Sequence, residues 1–196
     1  NSSKDNLKNN NHSKNRLFEL WSKIFSFSLS LCDYKTAYNA MLYSGKNQEK
    51  HLEELIIELC EQGRTDLLCY NEEFSFPWSG MVFSNEIGYN ISIVDMIDKI
   101  LQKRASQFEA INTPNYYQIL FSFHTFRGNY MKAGQAMIDF AYRLNYYSES
   151  RLPLSERLKK QTNCYLAALN VFRLINEDYS WIEKSENGLS IELLNA

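Results

Sequence analysis

An all-α chain, built of helical hairpins stacked as part of an α-solenoid, is what this sequence predicts, and three observations carry that prediction. The first is an internal echo. Phe25-Ser26-Phe27, then Tyr34, Ala37, Ala40 and Met41, return 96 positions later (130 − 34) as Phe121-Ser122-Phe123, then Tyr130, Ala133, Ala136 and Met137. The second is composition: 44% hydrophobic and 14% aromatic residues supply a core, while only three prolines and seven glycines suit long helices better than a turn-rich β fold. The third is periodicity, because apolar residues recur at three- and four-residue steps through most of the chain.

The elements follow in order. Residues 1–15 are rich in Asn, Ser and Lys and hold too little apolar material to fold, so they are expected to be a linker, with the whole chain a segment of a longer protein. Between residues 16 and 31, Leu17, Leu20, Trp21, Ile24, Phe25, Phe27 and Leu31 give a broad apolar face and a first helix. Asp33 is placed to cap a second helix that ends near Tyr43, before Gly45. From 47 to 62, Leu52, Leu55, Ile56 and Leu59 form one stripe on an otherwise acidic helix stopped by Gly63, and a short helix over 65–70 is expected to pair with it.

Residues 71–90 mix aromatics with Pro77, Gly80 and Gly88 and read as a long loop. Helical spacing resumes at Ile91 and lasts to about Glu109. Thr113-Pro114 suits a helix entrance, and helices over 114–127 and 130–146 form the second copy of the hairpin. After Pro153 a helix to about Leu174 is expected to turn Leu158, Tyr165, Leu166, Leu169 and Phe172 inward. The solenoid segment therefore spans 16–182, with a tail over 183–196 that is uncertain or one short helix.

The chemistry-bearing residues are sparse. The 21 basic and 23 acidic residues nearly cancel without a single-sign block, so neither nucleic acid nor an anionic membrane is an expected partner. No apolar run reaches the roughly 18 residues that span a bilayer. Cys32, Cys60, Cys69 and Cys164 lack both zinc-site spacing and disulfide-scaffold density, and read as reduced thiols in an intracellular protein. His51, Cys60 and Cys69 stand nine residues apart, unlike any finger or knuckle. His124 sits among aromatics with no nucleophile or acid set against it.

Gly128 and Gly134 form no phosphate loop, and the Ile91–Leu101 stripe lacks the cationic bias of a membrane anchor. No catalytic residue, metal or cofactor is therefore expected. What remains is structural: Tyr34, Ala37, Ala40 and Met41, with Tyr130, Ala133, Ala136 and Met137, as a repeated packing face where small residues let helices approach. Tyr179 and Trp181 are either an exposed anchor for a partner or a cap folded back on the preceding helix.

Ordered blocks add a resemblance. Asn115-Tyr116-Tyr117, Leu120, Phe123-His124, Arg127, Asn129-Tyr130, Lys132-Ala133-Gly134, Met137 and Arg143-Leu144 are similar to the C-terminal α-helical solenoid region of the nucleoporin 160 family, whose counterpart in some lineages is nucleoporin 120. The run from Lys160 to Asn170, then Arg173-Leu174-Ile175 and Tyr179 to Ile182, resembles the same family in the same order, as do Asp33-Tyr34, Ala37-Tyr38 and Leu59-Cys60-Glu61 with Gly63.

The resemblance implies a structural subunit of the nuclear pore's outer-ring Y-shaped complex, located at the nuclear envelope and supporting protein transport and mRNA export. It implies nucleoporin 85, nucleoporin 96 and their small propeller subunits as partners. The alternative is a tetratricopeptide-like adaptor that holds a short peptide or partner helix in a concave groove. A helical enzyme would need convergent titratable groups that the sequence does not display.

Overall fold

The architecture is that of a computed structural model, which describes residues 2–69, 82–84, 90–107, 113–147 and 152–175. Seven helices are present among them: α1 (Ser2–Ser30), α2 (Tyr34–Leu42), α3 (Gln48–Glu61), α4 (Ile93–Gln107), α5 (Tyr116–Phe126), α6 (Tyr130–Tyr147) and α7 (Leu154–Phe172). The fold is all-α, relieved by one short antiparallel pair in which β1 (Val82–Ser84) lies beside β2 (Asn90–Ser92), with Phe83 opposite Ile91. The chain divides into two compact units, Asn1–Leu68 with Glu73–Ile100 and Cys69–Glu72 with Leu101–Ala196, and the division passes through α4.

In the first unit α2 packs against both α1 and α3. Its core is Phe25 from α1, Ala37, Tyr38, Ala40 and Met41 from α2, and Leu52, Leu55, Ile56 and Leu59 from α3. The α3 residues are those of the stripe read from the sequence, and the helix ends at Gly63 with φ +67. In the second unit α6 lies between α5 and α7 and packs most extensively on α7. Tyr116, Tyr117, Leu120 and Phe123 of α5 meet Ala133, Met137, Phe140, Ala141 and Leu144 of α6 in that core, where the Tyr117 and Phe140 rings stack at 5.5 Å.

Several boundaries differ from the sequence reading, each for a physical reason. Helix α1 begins at Ser2, so residues 2–15 of the stretch expected to be an unfolded linker over 1–15 continue the helix instead. Once the anchored part beyond Arg16 is formed, each added residue pays only the small propagation cost. The helix expected over 65–70 is a single 3₁₀ turn, Thr65–Leu67, held by the Leu67 and Leu68 amides on Arg64 and Thr65 carbonyls. The loop expected over 71–90 contains β1, and pairing of Asn90–Ser92 with it delays the start of α4 to Ile93. The remainder of that loop, and the 183–196 tail, lie outside the described residues.

Asn115, rather than Thr113, caps α5: its carboxamide oxygen accepts from the Tyr117 and Gln118 amides at 3.1 and 3.2 Å, while Thr113-Pro114, joined by a cis bond, precedes the helix. The largest correction concerns α7. Of the residues expected inward, only Phe172 is buried; Leu158, Tyr165, Leu166 and Leu169 are 42–52% exposed, and the buried side is Cys164, Ala168, Val171 and Phe172. The buried side meets α6, where the Phe172 ring fills the space that Gly134 leaves.

Candidate functional site: the repeated hairpin and its faces

Each copy of the repeat turns on the same backbone corner. At the end of α1 the Asp33 amide donates to the Ser28 carbonyl at 2.9 Å and the Cys32 amide to that of Leu29 at 3.0 Å. At the end of α5 the Asn129 amide donates to His124 at 2.9 Å and the Gly128 amide to Thr125 at 3.0 Å. Both are the paired bonds of a Schellman terminator, and both place the residue after the cap in the left-handed region, Cys32 at φ 57 and Gly128 at φ 70. The next residue then starts the following helix: Asp33 accepts from the Thr36 amide at 3.2 Å, and Asn129 from the Lys132 amide at 3.4 Å. Positions 32, 33 and 36 thus map onto 128, 129 and 132 at the spacing of the sequence repeat.

The packing residues singled out from sequence fall at equivalent places on α2 and α6. Ala37 and Ala133 are fully buried, Ala40 and Ala136 are buried, and so are Met41 and Met137. Tyr34 and Tyr130 each open their helix; Tyr34 is buried with the Arg64 guanidinium 6.0 Å from its ring centre, whereas Tyr130 is half-buried. Tyr179 and Trp181 lie outside the described residues.

Several positioning residues escaped the sequence reading. Gly134, one residue past Ala133, faces Phe172: a Cβ built there would fall well inside contact with the ring's Cε1 and Cζ and 2.9 Å from Cδ1. Its signal was present, since a glycine inside an otherwise sound helix marks close approach. Gly45, at φ 61, likewise sits under the Phe18 ring, where a Cβ would meet carbons at 2.8 Å. Gln161 ties α7 to α6 by donating to the Ala141 carbonyl at 3.0 Å. Arg143 of α6 reaches the Ser106 carbonyl at 2.7 Å, and Arg127 lays its guanidinium 3.8 Å from the Phe123 ring centre.

The two internal histidines serve packing. His51 is buried, stacked at 4.2 Å on Phe25, with Nε2 3.1 Å from Ser22 Oγ and Nδ1 3.4 Å from Glu54 Oε2. Asn47 Nδ2 donates to the same Ser22 Oγ at 3.0 Å, so this one hydroxyl holds both side chains. This polar pin joins α1 to α3. Burial holds the His51 imidazole below its ordinary range, against the opposite pull of Glu54. Although Ser, His and Glu follow one another here, Ser22 stands inside α1, where its neighbouring amides belong to the helix ladder, so the donors an acyl-transfer intermediate needs are not assembled around it.

His124 is buried edge-on to Phe123 at 5.4 Å. All four cysteines are free thiols, three of them buried, and burial pushes the Cys164 thiol up to about 11. Among the described residues no group of His, Cys, Asp and Glu is arranged to hold a metal ion, and no helix is long and apolar enough to cross a membrane.

Among the described residues, two helix faces are open. On α1 and at its cap, Leu17, Leu20, Ile24, Phe27 and Leu31 are 39–78% exposed while Phe25 on another side is wholly buried. On α7, Leu154, Leu158, Tyr165, Leu166 and Leu169 are likewise exposed, away from the side that meets α6. A helix apolar on two sides is suited to the interior of a larger packing.

Comparison with known proteins identifies the hairpins. The family model described as NUP160/120 middle TPR matches residues 2–174. The chain belongs to the nucleoporin 160/120 family. Within it, the matched region is the middle tetratricopeptide part, whereas the motif resemblance points to the C-terminal helical part.

Among curated proteins, the chain is 32% identical to the nuclear pore complex protein Nup160 of Homo sapiens over 167 residues, covering 84% of this chain and 10% of the human one. It is 28% identical to NUP160 of Arabidopsis thaliana over 172 residues and 27% identical to the Nup160 homologue of Drosophila melanogaster over 165, again covering 10% of each. The chain thus spans about a tenth of the length of the curated relatives it matches.

Proposed function

We propose that this chain is a load-carrying segment of a non-enzymatic scaffold nucleoporin in the outer-ring Y-shaped complex of the nuclear pore, at the nuclear envelope. Through that architecture it supports nucleocytoplasmic transport and mRNA export without contacting cargo. Tyr34, Ala37, Ala40 and Met41, and their equivalents Tyr130, Ala133, Ala136 and Met137, act here as the helix-packing face. The observation that carries the reading is one hairpin built twice, with the same corner bonds and the same buried alanines, in a member of the nucleoporin 160/120 family.

A scaffold needs what this site has: small residues that fix helix separation, backbone corners that fix direction, and apolar faces on successive helices. The partners this reading assigns are other Y-complex members, namely nucleoporin 85, nucleoporin 96 and the small propeller subunits, with neither nucleic acid nor membrane insertion required. The test is to express the full-length protein with a fluorescent tag and to capture it from nuclear envelopes. Rim staining together with recovery of those nucleoporins is the expected result. Diffuse staining without them, combined with tight titratable binding of a short linear peptide, would overturn the scaffold in favour of an adaptor.

A further inference from the structure

The outer side of α7 carries Leu154, Leu158, Tyr165 and Leu169 in a stripe at four-, seven- and four-residue steps, each 42–59% exposed. The helix and its cap are basic: Arg157, Lys159, Lys160 and Arg173 against Glu156 give +3 (4 − 1) over 154–173. Lys160 pairs with Glu156 at 3.4 Å, and Lys159 and Arg173 stand exposed beside the stripe. Immediately beyond, residues 176–196 carry Glu177, Asp178, Glu183, Glu186 and Glu192 against Lys184, or −4 (1 − 5), together with Tyr179, Trp181, Ile182, Leu189, Ile191, Leu193 and Leu194.

We propose that the stripe on α7 is the docking surface for residues 176–196 of this same chain. The charges are opposite, both surfaces are apolar, and the two are joined by the short turn over 173–175, so tethering supplies a high effective concentration. Trp181 is the anchor, since a large aromatic seated among leucines dominates such contacts. The surface stands whichever assembly the whole protein joins.

The test uses the full-length protein and reads hydrogen exchange by mass spectrometry over 176–196, hydroxyl-radical labelling of Tyr165, and zero-length carbodiimide cross-linking in a mixture of ¹⁴N and ¹⁵N copies. Leu158→Asp with Leu169→Asp is expected to speed exchange over 176–196 by about tenfold, because both side chains are exposed and α7 keeps its buried side. Trp181→Ala is expected to raise Tyr165 labelling severalfold, and Lys159 is expected to link to Glu183 or Glu186 within one copy. Unchanged exchange and labelling in both variants would overturn the assignment, as would Lys159 links that join only separate copies, which would make the stripe a self-association surface. If the aspartate pair disturbs exchange in α5 and α6, Trp181→Ala decides alone.

Discussion

Replacing Gly134 with alanine sets two well-understood effects against each other. Helix propensity favours the change, because an interior glycine costs about 1 kcal/mol relative to alanine. Packing opposes it: the new methyl would press on Phe172, a buried side chain, closer than contact at Cε1 and Cζ and at 2.9 Å from Cδ1. Ordinary contact begins at 3.4 Å, so even the farthest of those three atoms must retreat by 0.5 Å (3.4 − 2.9), and the nearer two by more.

A ring held between α6 and α7 does not retreat alone, and overpacking of this kind costs about 1–3 kcal/mol. Packing therefore wins by up to about 2 kcal/mol, which for a chain of this size is a fall of about 4–8 °C in Tm. Calorimetry of Gly134→Ala, Phe172→Leu and the double variant gives the coupling directly: the double variant should lose less than the sum of the two singles, because leucine vacates the space the methyl needs. A rise in Tm for Gly134→Ala, or strict additivity, would show that α6 and α7 do not meet at this glycine.

Other outcomes follow from the same geometry. Cys32→Gly should stabilise the chain by about 0.5–1 kcal/mol, since a side chain at φ 57 costs about 1–2 kcal/mol and the added freedom of the unfolded glycine returns part of it; Gly128→Ala should destabilise by a similar amount, and denaturant midpoints measure both. Ala133→Leu should cost about 1–3 kcal/mol by overpacking a fully buried site, read as a drop in Tm, whereas an unchanged Tm would remove it from the helix contact.

Because the folded His51 pKa lies below its ordinary 6.5, the unfolded chain binds the proton more readily: its contribution is complete above about pH 6.5 and is lost as pH falls through the folded value. His51→Gln should flatten that part of the Tm profile as pH falls below about 6.5. Asp139 is held above the usual carboxylate range by burial while Gln135 donates to it at 2.9 Å, so Asp139→Asn should raise Tm at neutral pH and lose that advantage in acid.

What the sequence made legible was the part governed by local rules. The α3 stripe, the cap at Asp33 and the stop at Gly63 each depend on residues within one or two turns, and each stands where the spacing places it. The repeat was legible too, because its corner and its alanines recur together. The reading failed where a second element decides.

Hydrophobicity ranks Leu158, Leu166 and Leu169 above Cys164 and Ala168, yet the side of α7 that faces α6 carries Cys164, Ala168 and the Phe172 ring that fills the space beside Gly134, a partner the sequence of α7 does not show. The three-residue strands were hidden for a related reason: their partner is their evidence, and three positions are too few for an alternation to show. His51 gave no hint of its pin, since Ser22 lies 29 residues away on another helix.

The corners repay one more thought. Each is shaped by two main-chain bonds, one left-handed residue and a single short polar cap, so almost nothing about its bearing is written in side chains. A glycine serves at one corner and a cysteine at the other, and the chain reverses alike at both. A framework bent at such joints can exchange most of its surface over evolutionary time and still hold its line.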